Sequence, residues 1–271
     1  MMTARSKVTP AATWVAIDIA KRTHAVLIET PDGKQRRFKM TSTHEDHQRL
    51  VDLLRTCPAP VRVAMEATGD YHRTLAYRLL REGFEVCLVS SIAGARYREA
   101  MFNSWDKNDP KDAHVILALL KQGITQRFVD PLIAGHHGLQ ELSKTHYQIS
   151  LARMRLQHSL LTHYLPLYFP EAERYFHTAQ ATWFAQFLLR FPTAASIRGL
   201  KFEAFQREAW SIVGRKVNKR TWIRELYDAA CSSVGLPIAD DDIALETFRL
   251  QLRRYQQLTE QRDALVETAR R

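Results

Sequence analysis

WVAIDIAKRTHAVLIETPDGKQRRFKM, residues 14–40, is the stretch that decides the fold. Residues 14–20 and 24–30 are rich in β-branched and apolar side chains, and the polar Lys21-Arg22-Thr23 between them predicts a hairpin. Pro31-Asp32-Gly33 is a strong turn signal, so 34–40 reads as a third strand, basic enough that one of its faces must meet water. A helix follows at 43–56, its apolar face supplied by Leu50, Leu53 and Leu54. Working onward, the pattern predicts a strand at 61–66, a helix at 71–82 and a strand at 84–90. Helical segments at 91–102 and 110–122 complete this region.

Three meandering strands followed by alternating helices and strands match the ribonuclease-H-like (RuvC-like) arrangement, a mixed sheet covered by helices. Sugar kinases and actin-type ATPases share that order, but they need Gly-rich phosphate loops after the first and fourth strands. Here the first turn is AKRTH, without glycine, and the fourth strand runs into EATGDY, with one. That disfavours an ATPase.

Beyond Gly123 the pattern becomes wholly helical. Leu139, Leu142, Ile149, Leu156 and Leu160 mark a long amphipathic helix over 139–165, ended by Pro166 and Pro170. Shorter helices are expected at 179–190, 202–213 and 220–232, and a second long one over Ile243–Ala269 with Leu245, Phe248, Leu252 and Tyr255 at heptad spacing. The fold class is therefore α/β plus α. A catalytic-type domain at 1–125 precedes, at 126–271, an antiparallel coiled-coil arm with a small helical tip.

Lys and Arg total 39 against 29 Asp and Glu, a net charge of +10 that divides evenly, +5 on either side of Thr125. A basic excess spread through both halves points to a polyanion partner, usually nucleic acid. Cys57, Cys87 and Cys231 have no CxxC or zinc spacing and read as buried thiols in a reducing compartment. No apolar run is long enough to cross a membrane and no signal peptide opens the chain, so a cytoplasmic protein is expected.

Four carboxylates carry the chemistry. In WDKNDPKDAH, residues 105–114, Asp109 and Asp112 flank Pro110 at the start of a helix and share one of its faces. By themselves they read first as a capping box, with Asp109 capping and Asp112 reaching back. Asp18 lies within the first strand, with a wet face as its plain alternative, and Glu66 ends the fourth, where rim residues are common. In the ribonuclease-H-like order strands one and four are central neighbours, and a helix after the fifth can lay its first turn across them. Asp18, Glu66, Asp109 and Asp112 would then converge. Hard oxygen ligands gathered so closely need cations between them, and Mg2+ (or Mn2+) is the natural occupant. Two such ions can activate an attacking oxygen and stabilise a leaving one at a phosphodiester. Lys107 offsets the carboxylate charge or touches a phosphate, unless it is an ordinary solvated lysine. Arg96, Arg98, Lys216, Lys219 and Arg220, which lie beside aromatic residues or in the RKVNKR run, are candidate nucleic-acid contacts.

AIDIAK (16–21), EATGDY (66–71) and KNDPKDA (107–113) together resemble the DEDD transposases of the IS110 group of insertion sequences, relatives of the pilin-gene invertase with a RuvC-like domain. The resemblance runs over roughly 14–270. It implies that Asp18, Glu66, Asp109 and Asp112 are the metal ligands of a DNA recombinase. It also implies as partners the element's DNA ends and target, a structured guide (bridge) RNA, and a second copy in a dimer or tetramer through the helical arm. That family continues into a small domain with a nucleophilic serine, whose Gly- and Pro-rich start is not found here; the resemblance thus implies a chain unable to recombine DNA by itself. Asp106 beside Lys107 also departs from the family pattern. Two other readings use the same residues: a stand-alone RuvC-like nuclease acting on branched DNA, and a non-enzymatic nucleic-acid scaffold.

Overall fold

Strand β1 (Thr13–Asp18) is the axis of a six-stranded mixed sheet. On one side it pairs antiparallel with β2 (Thr23–Glu29), which pairs antiparallel with β3 (Gln35–Thr41). Helix α1 (His44–Arg55) leads to β4 (Val61–Glu66), which lies parallel to β1 on its other side. Helix α2 (Arg73–Arg81) then returns the chain to β5 (Glu85–Val89), parallel to β4. After α3 (Ser91–Phe102) and α4 (Asp109–Lys121), a two-residue strand β6 (Gln126–Arg127) pairs antiparallel with β5. The first five strands, in the order β3-β2-β1-β4-β5, follow the ribonuclease-H-like arrangement expected, with strands one and four adjacent at the centre, and β6 is an addition at the edge.

The computed structural model describes residues 12–67, 69–102, 109–176, 181–214 and 218–271, without the side chains at 102, 109, 110, 181 and 182. The chain divides into two compact units, Met1–His136 and His137–Arg271. The first therefore runs past the expected division at 125. A two-residue edge strand is too short to leave a hydrophobic pattern in sequence.

Alternation along the strands sends two residue sets to opposite faces. Val15, Ile17, Val26, Ile28, Val63, Met65 and Val86 pack with Leu50, Val51 and Leu54 of α1 and with Leu75, Ala76 and Leu79 of α2. Ala16, Leu27, Ala64, Cys87 and Val89 face the other way, against Ala113, Ile116, Leu119 and Leu120 of α4. The two central strands present alanines to α4, and Ala16 and Ala64 are wholly buried beneath it. The face that carries Trp14, Ala16 and Asp18 is thus covered by a helix up to Ala16.

In the second unit, α5 (His137–Ser159) passes through a π-helical turn at Leu160–Tyr164 into α6 (Leu165–Tyr168). The single helix expected over 139–165 is interrupted because Pro166 offers no N–H to the preceding turn, and the hydrogen-bond ladder shifts before it. Then come α7 (Glu173–Phe176), α8 (Ala181–Arg190), α9 (Ala194–Arg198), α10 (Phe202–Ile212), α11 (Lys219–Cys231) and α12 (Ile243–Ala269). Five-residue α9 escaped the periodicity, although the Thr193 side chain caps it by accepting from the Ser196 N–H at 3.0 Å.

Helices α5 and α12 run antiparallel: Arg153 bonds Thr259, whereas Tyr164 further along stacks on Phe248. Buried positions in α12 fall at Leu245, Phe248, Leu252, Tyr255 and Thr259, spaced three and four apart as the heptad reading required. The intervening helices do not form a detached tip. Leu156, Leu252 and Tyr255 of the long helices share one core with Phe169, Phe176, Phe184, Phe187, Phe191 and Phe205. Cys231, expected inside, is exposed at the end of α11.

Candidate active site

The register that aligns Ile17 with Met65 brings the final residues of β1 and β4, Asp18 and Glu66, side by side at one end of the sheet. Each follows an alanine by two positions, so both carboxylates belong to the face that α4 covers. Asp18 closes β1 rather than sitting inside it. The turn after it is held by the Ala20 N–H donating to His24 Nδ1 at 3.3 Å. Both carboxylates are half-buried.

Helix α4 runs against the direction of β1. Lys121 at its end pairs with Glu29, which stands opposite Trp14 at the start of β1. The first turn of α4 therefore lies toward the end of β1, where Asp18 is. Asp112 sits in that first turn and is buried. Asp109 opens the same helix, but its side chain lies outside the described residues.

Helix α3 begins two residues after β5 and passes over Glu66, whose Oε2 lies 3.8 Å from the point a Cβ on Gly94 would occupy. Gly94 and Arg98, four apart, share the inner face of α3. Arg98 is buried, and its Nε donates to Asp112 Oδ1 at 2.5 Å. Arg98 was expected among the phosphate-binding cations; it is instead an internal partner of a candidate metal ligand. In the sequence Arg96-Tyr97-Arg98 nothing distinguishes the inward arginine from the outward one. Arg96 is exposed.

Asp18 and Glu66 thus end neighbouring strands on the sheet face that α4 covers, and Asp112 lies in the first turn of that helix. Among the described residues no three Asp, Glu, His or Cys side chains lie close enough to hold a metal ion. Asp112 is turned to Arg98, and Asp109 is not among the side chains described. The donor chemistry fits a hard cation.

Of the remaining candidates, Lys107 and Lys216 lie outside the described residues. Lys219 caps the surface of Trp210, its Nζ 5.4 Å from the ring centroid and donating to the Trp210 carbonyl oxygen at 2.6 Å. Arg220 lines an open groove with Glu203, Gln206, Arg207 and Trp210. Trp210 and Arg207 were not singled out in the sequence. The signal available was a tryptophan on the polar side of an amphipathic helix, close in sequence to a basic run.

Residues 15–170 match the family of DEDD transposases of the IS110 group, described simply as transposase. The chain belongs to this DEDD transposase family. The matched region holds Asp18, Glu66, Asp109 and Asp112 together, from β1 through the end of α6. No curated protein matches the transposase. Among solved structures it is similar to RuvC of Thermus thermophilus. In complex with a Holliday junction substrate, that protein is 13% identical, with a TM-score of 0.29 over 43% of this chain and 99% of RuvC. The uncomplexed RuvC structure is 11% identical, with a TM-score of 0.30 and the same coverage. No helix among the described residues is long and apolar enough to cross a membrane.

Proposed function

We propose that Asp18, Glu66, Asp109 and Asp112 bind Mg2+ or Mn2+ as one cluster, and that this cluster acts on the phosphodiesters of an insertion sequence's DNA ends and its target. The observation that carries the reading is positional: Asp18 and Glu66 end neighbouring parallel strands on the face beneath α4, with Asp112 in the first turn of that helix. Bound divalent cations supply activation of an attacking oxygen and stabilisation of a leaving one. The chain's own part is to place its carboxylates at the sheet end, to cover them with α4, and to move Asp112 between Arg98 and the cluster. Lys107 and the exposed Arg96 serve as phosphate contacts beside it.

A structured guide RNA is the second partner in this reading, supported by a net charge of +10 carried by both units and by the family membership. A dimer or tetramer forms through α5 and α12, with Leu139, Tyr147 and Met154 exposed on the first and Ile243 and Leu250 on the second. The site of action is the cytoplasm.

Calorimetric titration of Mg2+ into the parent, Asp18→Asn and Asp109→Asn tests the cluster. Weaker binding in both variants is expected. Identical titrations in all three would return Asp109 and Asp112 to a plain capping box. A plasmid recombination assay with donor, target and guide RNA reads the guide: product independent of the RNA would remove it.

A further inference from the structure

Residues 201–224 carry seven Lys and Arg against two Glu, a net +5 that equals the whole excess of the chain beyond Thr125. Two of the seven, Arg215 and Lys216, lie outside the described residues. The stretch spans α10 and the opening turns of α11, and between these helices lies a groove of about 300 Å³ lined by Glu203, Gln206, Arg207, Trp210 and Arg220. Glu208, the second acid, is engaged by Arg190. Glu203 is thus the one acid lining a groove that Arg207 and Arg220 also line.

Trp210 is 43% exposed in a unit whose phenylalanines, Phe202 apart, are fully buried. Its environment is already cationic, with Lys219 above the ring. An exposed indole is costly to leave in water and has a flat π-face that any nucleobase can cover. Flanking cations at phosphate reach complete the pattern of a strand-binding groove, in which stacking and charge neutralisation act together and sequence is not read. A protein partner with an acidic face would use the cations but would not require a stacking platform.

We propose that the α10–α11 groove binds an unpaired nucleic-acid strand, one base stacked on Trp210 and the adjoining phosphates held by Arg207, Lys219 and Arg220. The site belongs to the second unit, whereas the carboxylates belong to the first. It is independent of whether those carboxylates bind metal.

The test uses the full 271-residue chain and short oligothymidylate, oligouridylate and a duplex of equal length, with affinity read by fluorescence anisotropy across a salt series. Trp210→Ala is expected to weaken single-strand binding roughly tenfold while leaving the slope of log affinity against log salt unchanged, because stacking releases no counterions. Trp210→Phe should retain most of the affinity. Arg220→Gln and Lys219→Gln should each flatten the single-strand slope by about 0.7. A greater affinity for one oligomer names RNA or DNA as the source of the strand. Single-strand binding by Trp210→Ala indistinguishable from the parent, or an equal loss on duplex, would overturn the groove. Circular dichroism melting of each variant separates loss of the site from loss of the fold. Magnesium titration of Trp210→Ala should match the parent, which keeps this result distinct from failure of the carboxylate reading.

Discussion

Arg98 of α3 and Asp112 of α4 form a buried ion pair, Nε to Oδ1 at 2.5 Å, with about nine-tenths of each side chain removed from solvent. A pair so enclosed gains little over apolar packing, but removing one member strands a charge in a poorly hydrated site. Arg98→Ala is therefore expected to cost about 3–5 kcal/mol in metal-free buffer. Added Mg2+ should restore part of that loss, since a bound cation can replace the guanidinium at Asp112, whereas the parent gains less because its arginine must first withdraw. Urea unfolding with and without Mg2+ measures both effects. An unchanged midpoint in Arg98→Ala without metal would show that the pair contributes nothing.

His24 of β2 and His47 of α1 are both buried, with ring centroids 6.4 Å apart. Burial holds each below the ordinary histidine value, and at His47 the neighbouring His24, Arg78 and His44 lower it further, against an opposing pull from Asp46. His72, buried against Phe128, is lowered by burial as well. A histidine depressed in the folded state binds a proton first in the unfolded chain, near pH 6.5. Stability is therefore undiminished above that pH and falls as the pH drops from about 6.5 toward the folded-state values. Urea midpoints at pH 7 and pH 5.5 should differ in that direction, and His47→Leu should narrow the difference. A midpoint that rises on acidification would contradict the assignment.

The strand order was legible because β1, β2, β4 and β5 alternate or run apolar over five to seven residues, and because Pro31-Asp32-Gly33 punctuates the meander. The heptad in α12 was legible for a similar reason: one helix face is buried over five consecutive contact positions. What remained hidden depends on contacts distant in sequence. Nothing in Arg96-Tyr97-Arg98 says which arginine turns inward, since that is set by how α3 crosses Glu66 and meets α4. The groove at Trp210 needs two helices brought together, and β6 needs its partner β5. Glu66 could be nominated because it ends a readable strand, and Asp18 because a carboxylate stands out inside an apolar one. Their shared sheet face follows from register, which single-strand patterns do not contain.

Gly235 shows what a glycine does where two chain segments touch. A Cβ built there would stand 2.5 Å from the carbonyl oxygen of Tyr168 and 2.9 Å from its carbon, next to the hydrogen bond from the Leu236 N–H to the Leu167 oxygen. Both contacts are backbone, so no side-chain rotation relieves them. Gly235→Ala is expected to destabilise the second unit by about 1–3 kcal/mol, whereas Gly138→Ala, where a Cβ meets nothing within 4 Å, should not destabilise it. Thermal denaturation of the two variants side by side makes the comparison. Equal melting would mean that the 234–236 segment yields freely.

Tyr255 offers the sharpest division between packing and hydrogen bonding. Its ring is fully buried in the second core, 5.4 Å from the Phe176 ring, and Arg153 lies over its face at 4.8 Å. Arg153 also donates to the phenolic oxygen, and through Nε to Thr259 Oγ1 at 3.0 Å, so one guanidinium ties α5 to two positions of α12. Burial raises the Tyr255 hydroxyl above its ordinary range, and the neutral phenol is the form present at working pH. Tyr255→Phe deletes one acceptor while keeping the ring, and should cost about 1 kcal/mol. Tyr255→Ala also removes the ring and leaves a cavity, for about 3–5 kcal/mol. Arg153→Met also removes the Thr259 bond and the ring contact and should cost more than Tyr255→Phe, and the double variant should cost less than the two single losses together, because both remove the Arg153–Tyr255 bond. Urea unfolding followed by the tryptophan fluorescence of the second unit supplies all four values. Full additivity in the double variant would show that Arg153 and Tyr255 stabilise α5 and α12 through separate contacts.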